Sequence, residues 1–117
     1  MARQGNKILE LDHIGQSFDE KKIIKIETPG GHSITLDEDQ KKIAIQDING
    51  NKIEMGEDGI KIESIKDITL KASGDLKIDG TNITTNANAQ LKLSGSAGTE
   101  LSSSAITKVK GSMVQIN

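Results

Sequence analysis

The chain has 117 residues, 27% of them charged, a formal net charge of −2, no cysteine and a single aromatic side chain, Phe18. One domain's length with one aromatic cannot fill the thick interior of a sandwich or a layered α/β sheet. The charge is asymmetric, with 16 acids and 12 bases in residues 1–80 (net −4) and Glu100 against Lys92, Lys108 and Lys110 in residues 81–117 (net +2), and neither half is basic enough for a nucleic-acid surface. No segment approaches the roughly 18 consecutive apolar residues of a membrane-spanning helix, and none has the layout of a secretory signal. The lack of cysteine fits synthesis in the cytoplasm.

In chain order, residues 1–21 predict one strand, GNKILEL, and a polar loop that holds His13. From Ile24 a spaced pair of apolar residues returns every seven to ten positions. Residues 22–58 carry Ile24/Ile26, Ile34/Leu36, Ile43/Ile45 and Ile53/Met55, separated by turns at Pro29–Gly31, Asp37–Lys42 and Asn49-Gly50-Asn51. Residues 59–117 tighten to seven or eight: Ile60/Ile62, Ile68/Leu70, Leu76/Ile78, Ile83/Thr85, Leu91/Leu93, Thr99/Leu101, Thr107/Val109 and Val114/Ile116. The residue three before a pair is usually a turn former, as at Ser73, Gly80, Asn88, Ser96, Ser104 and Gly111, with Ile65 the exception. Two side chains at i and i+2 share one face of a strand, so each unit predicts a short strand with one dry face and one wet face. On a helix the same spacing scatters around the axis, and no long helix is expected.

A unit of about eight residues is one wall of a coil, and it cannot bury its face alone. Three units from one chain would close a coil, yet almost every inward position holds a large Ile or Leu. Three chains wrapped around one axis can stack those same residues in threefold layers without exposing a lateral sheet edge. The expected fold is therefore all-β and homotrimeric, with the apolar members of the pairs from Ile24 to Val109 as its core. Thr85, Thr99 and Thr107 break the apolar pattern, and each predicts a ring of three hydroxyls, as a water or ion site or simply as tolerated polar layers.

The chemically suggestive clusters have plain readings. Asp37, Glu38 and Asp39 lack the spaced ligands and closing Glu of a calcium loop and read as a solvated corner, as do Glu57 and Asp58. Gly30-Gly31-His32 is followed by no helix that could hold a phosphate. Ser102, Ser103 and Ser104 have no histidine near them in sequence, and a polysaccharide-cleaving β-helix would need a carboxylate pair in an aromatic-lined groove. The expectation is no enzyme, no cofactor and no metal site. Lys25, Lys61, Lys71 and Lys77 flank the pairs and read as outward solubilising residues, with acids of adjacent chains as candidate partners.

The run TPGGHSITLDEDQKKIAIQDINGNKIEMGEDGIKIES, followed by DITLKASGDLKID and the terminal KGSMVQIN, resembles the C-terminal needle of the central spike of contractile injection machines. That family includes the type VI secretion spike VgrG and the phage baseplate assembly protein V, and the similarity covers roughly residues 22–117. The resemblance implies an intertwined triple-stranded β-helix with an octad-like repeat. Residues 22–58 would form a wider β-prism portion, and 59–117 a tight needle ending in the tip. It implies a PAAR-type cap protein docked on Met113, Val114, Ile116 and Asn117, and hub and tail-tube proteins on the N-terminal side. Residues 1–21 would lead from a hub domain, which this chain lacks. Some phage members hold an iron through a His-x-His pair at the tip; here His13 and His32 stand alone.

The expected function is mechanical: a stiff spike, made in the cytoplasm and delivered through the target envelope or carried on a virion, that transmits axial force and pierces the membrane rather than binding it. With no Trp or Tyr to anchor at a lipid interface, it has little means of residing there. The alternative is a trimeric fibre shaft or adhesin stalk, which would continue into a head.

Overall fold

A computed structural model describes residues 22–117. The expected strand GNKILEL, the loop after it and His13 lie outside the described residues. Contacts divide the chain into two units, Met1–Gly74 and Asp75–Asn117.

The first unit contains five strands of five residues: β1 (Ile23–Glu27), β2 (Ser33–Asp37), β3 (Lys42–Gln46), β4 (Lys52–Gly56) and β5 (Gly59–Glu63). They form one antiparallel sheet in the order β1-β2-β3-β4-β5, and no helix occurs among the described residues. Each strand centres on one of the expected apolar pairs. The pairing differs from a chain that winds outward rung by rung, because every strand here pairs with its own chain's neighbour. The self-paired sheet also continues through Glu63, past the end of the longer turns at residue 58.

The turns explain the reversal. Between β1 and β2, the Thr28 N–H donates to the His32 carbonyl at 3.0 Å and the Gly31 N–H to the Thr28 carbonyl at 3.1 Å. Gly31 takes φ +116°, a conformation costly for any residue with a Cβ. Between β2 and β3, the Gln40 N–H donates to Asp37 Oδ1 at 3.0 Å, so this acid caps a turn rather than a cation. Only Glu57 and Asp58 separate Gly56 from its partner Gly59. Nine- and ten-residue spacing leaves room for the first three hairpins, and the seven-residue step from Ile53 to Ile60 is closed by a two-residue turn with Gly59 at φ +115°.

In residues 64–117 the pattern changes. No strand is formed there, and no backbone-to-backbone hydrogen bond joins any of these residues to another described residue. The backbone nevertheless bends at 65–66, 73–74, 81–82, 88–89, 96–97, 104–105 and 112–113. Those bends fall on, or one residue after, the corners expected from Ser73, Gly80, Asn88, Ser96, Ser104 and Gly111.

No described residue is buried. The chain exposes 10986 Å², against about 6,200 Å² for a folded monomer of 12.5 kDa.

Candidate self-association face

Register assembles the expected core residues of the sheet into two continuous rows. One runs Ile24, Leu36, Ile43, Met55, Ile60 and the other Ile26, Ile34, Ile45, Ile53, Ile62, each residue opposite the next across a strand pair. Period-two alternation places all ten on one face.

Exposure is inverted along β2 and β3, but not along β1, where Lys25 and Glu27 are exposed and Ile24 and Ile26 half-buried. Ile34 and Leu36 on β2 are exposed at 37% and 38%, whereas Ser33, Thr35 and Asp37 on the other face are half-buried. The same alternation holds along β3, where Ile43 and Ile45 are exposed and Lys42 and Ala44 are not. The polar face is covered by its own side chains. Lys42 Nζ lies 3.5 Å from Glu54, Lys52 Nζ bridges Glu54 at 3.8 Å and Glu63 at 3.5 Å, and Lys61 Nζ reaches Glu63 at 3.7 Å. Lys25 pairs with Glu27 at 3.7 Å, so both Lys25 and Lys61 have an acid of their own strand within reach. At such exposure each pair contributes about 0–1 kcal/mol. Their geometric effect is to turn the charged groups away from the two apolar rows.

Beyond β5 the expected core residues Ile68, Leu70, Leu76, Ile78, Ile83, Leu91, Leu93, Leu101 and Val109 are all more than half exposed. The structure gives them regular corners but joins none of them into a ladder within the chain. At the C-terminal end Met113 and Ile116 are exposed at 81% and 88%, and Asn117 is exposed as well. Ile106, which the pair pattern passes over, is exposed too.

One end of the sheet carries features that pair counting misses. The Asp47 carboxylate organises the β3–β4 turn. Its Oδ1 accepts the Asn49 and Asn51 N–H groups, each at 2.9 Å, and its Oδ2 accepts Asn51 Nδ2 at 2.8 Å and, more weakly, Asn49 Nδ2 at 3.4 Å. These donors, led by the Asn51 side chain and opposed by partial desolvation, lower the Asp47 pKa from 3.8 to about 2. Asn51 Oδ1 in turn accepts the Ile65 N–H at 2.9 Å. A Cβ added at Gly50 would lie 3.2 Å from Ile65 Cγ2, and one added at Gly31 would lie 3.2 Å from Ile48 Cγ2. Ile65, the residue that broke the corner rule, is therefore a packing residue seated over Gly50, as Ile48 is over Gly31. The available signal was a glycine in one turn with an isoleucine in the next turn on the same end of the sheet.

Among known proteins, no protein-family model and no curated sequence matches the chain. Among the described residues, no group of three His, Cys, Asp or Glu side chains is arranged to hold a metal ion.

Proposed function

We propose that the chain is the needle of a contractile-injection spike: a homotrimer whose three sheets turn their apolar rows toward a common axis and whose octads continue as an intertwined triple-stranded β-helix to a blunt tip. One observation carries this reading: ten large apolar side chains share one face of the sheet and none of them is buried. A single open sheet with that exposure lacks the burial that stabilises strands, so the face has to be covered by protein.

The octad stretch supports the same partner. Its backbone groups have no backbone partners among the described residues and its corners are evenly spaced, which suits strands completed by other copies. Stacked strands joined through continuous backbone hydrogen bonds distribute an axial load over many bonds at once, and that is what a driven spike requires. A PAAR-type cap on Met113, Val114, Ile116 and Asn117, a hub and tail tube on the other side, and mechanical passage through the target envelope belong to this proposal. The work needs no catalytic group, cofactor or nucleic acid. A fibre or adhesin stalk would share the trimer but not the tip.

Light scattering with mass determination on the purified chain tests the trimer: a mass of three chains is expected, and a folded monomer or a two-sheet dimer overturns it. Deleting residues 112–117 separates needle from stalk. The shortened trimer is expected to stay folded and lose cap binding, whereas undiminished cap binding overturns the tip assignment.

A further inference from the structure

A repeat that is nearly self-similar every eight residues specifies which side chains face inward but not which octad meets which. Slipping one chain by a single residue would turn its apolar set outward. Slipping it by a whole octad keeps every apolar residue on the inner face and loses only an end rung. Residues 68–117 therefore need a reference point outside the repeat, and the structure holds one where self-pairing stops.

β5 ends at Glu63. The corner that follows is closed locally, with Ser64 Oγ donating to the Asp67 carbonyl at 2.9 Å and accepting the Lys66 N–H at 3.1 Å. It is also tied back to the sheet. Asn51 Oδ1 accepts the Ile65 N–H across 14 positions of sequence, whereas the other side-chain hydrogen bonds of these turns span two to four. Asn51 can face Ile65 in this way because its amide nitrogen is held at 2.8 Å by Asp47 Oδ2, which fixes the side chain so that Oδ1 points at the corner. Ile65 Cγ2 over Gly50 seats the same corner from a second direction. Among the described residues beyond Asp67, the one remaining hydrogen bond within the chain is the local contact of the Ala105 N–H with Ser103 Oγ.

We propose that Asn51, oriented by Asp47, is a positioning residue that sets the register of the octads between copies of this chain, by fixing the residue at which self-pairing gives way to pairing with partners. The inference rests on the trimeric reading. Its chemistry is specific: residue 51 must accept from the Ile65 N–H while residues 47 and 51 supply one amide donor and one carboxylate acceptor between them. Exchanging them, as Asp47→Asn with Asn51→Asp, loses only the weak 3.4 Å contact from Asn49 Nδ2, because a carboxylate at 51 still accepts from Ile65 and from the amide at 47, whose oxygen still accepts the turn's N–H groups. Asn51→Asp alone sets two carboxylates against each other, and Asn51→Ala removes the tie.

The chain has no cysteine, so Lys92→Cys places one nitroxide label per copy within the octads of the full-length chain. Distances between labels are then read by pulsed electron resonance, with mass measured in parallel. The parent trimer is expected to give one narrow distance. Asn51→Ala and Asn51→Asp are expected to keep the trimer mass but give a split or broadened distribution, since each octad of slip offsets the labels by about 4.8 Å along the axis. The exchanged pair is expected to restore the narrow distance, and Asn49→Ala, which spares the Ile65 contact, to retain it. A narrow distance in Asn51→Ala overturns the clamp, as does broadening in Asn49→Ala or failure of the exchange to restore. If Asn51→Ala does not assemble, the exchanged pair decides, a narrow distance supporting the clamp and a broad one overturning it. A parent chain that is monomeric overturns the trimeric reading itself, a result distinct from all of these.

Discussion

Residues 23–63 and 64–117 share one sequence rule and meet it with two kinds of pairing. In the first stretch the chain turns back after each apolar pair and satisfies its strand hydrogen bonds within itself. In the second it bends at nearly even intervals and makes no backbone ladder at all. The difference lies in the corners rather than in the strands. Gly31, Gly50 and Gly59 take positive φ in the hairpin region, while beyond Gly59 no residue does among those described. The pair pattern decides what must be covered, and the positive-φ glycines of the corners mark where the chain's own neighbour provides the strand alongside. In the proposed trimer, the second stretch would acquire its ladder from other copies.

The largest expected effect comes from charge placed in the apolar rows. Ile53→Lys in β4 should abolish the trimer and Ile78→Lys in the octads should break the layers around it, because an uncompensated buried charge costs about 3–5 kcal/mol and the affected layer would receive three. The two should differ in what survives. Ile78→Lys should leave amide exchange protection within 23–63 largely intact, whereas Ile53→Lys should lose protection in both stretches. Equal loss in the two variants would show that the sheet has no stability independent of the octads. Substitution of Lys77, one residue away and on the opposite face, should leave the mass unchanged.

The positions of the strands were legible because alternation at i and i+2 has only one reading once helices are set aside, and all five strands centre on such pairs. The corners were legible for a similar reason: Ser, Gly and Asn recur at fixed distances before the pairs, and the bends fall there. The identity of each strand's partner was not legible, since Ile53 and Ile78 sit in the same local pattern and only one of them lies in a self-paired ladder. The Asp47–Asn51–Ile65 node was also missed. Its residues read as an ordinary Asn-Gly turn and an irregular corner, and their connection depends on how β3, β4 and β5 stack. Lys25 and Lys61 each have an acid two residues away on the same strand face, Glu27 and Glu63, an intrachain pairing that the sequence reading did not single out.

A smaller effect separates the two ends of the hairpin region. Gly50→Val and Gly59→Val both force a branched side chain into positive φ, at about 1–3 kcal/mol each. Only the first also drives a side chain against Ile65, 3.2 Å from the new Cβ, while the space around Gly59 is open. Thermal unfolding should therefore show Gly50→Val as the more destabilised variant. Equal shifts would mean that the corner at Ile65 yields freely and does not bind the octads to the sheet.

Acid should act on the same node. The Asp47 carboxyl is lowered from 3.8 to about 2 by its turn partners, so its contribution is fully present above about pH 3.8 and is lost as the pH falls through about 2. Amide exchange at Asn49 and Asn51 should accelerate over that interval, and Asp47→Asn should remove the transition at those amides. A transition that persists in Asp47→Asn would assign the acid sensitivity to another carboxylate.

The smallest effect is expected on the polar face, and its smallness is informative. Lys61 and Glu63 are 3.7 Å apart with side chains exposed at 66% and 46%, a setting in which water and salt screen most of the attraction. Lys61→Ala should change stability by less than about 0.5 kcal/mol, measured as a shift in denaturant midpoint at constant slope. Lys52 touches both Glu54 and Glu63 and is less exposed, so Lys52→Ala should cost more than Lys61→Ala. If Lys61→Ala instead weakened the trimer strongly, the charged face would have to lie against another copy, and the apolar rows would no longer be the sole surface holding the assembly together.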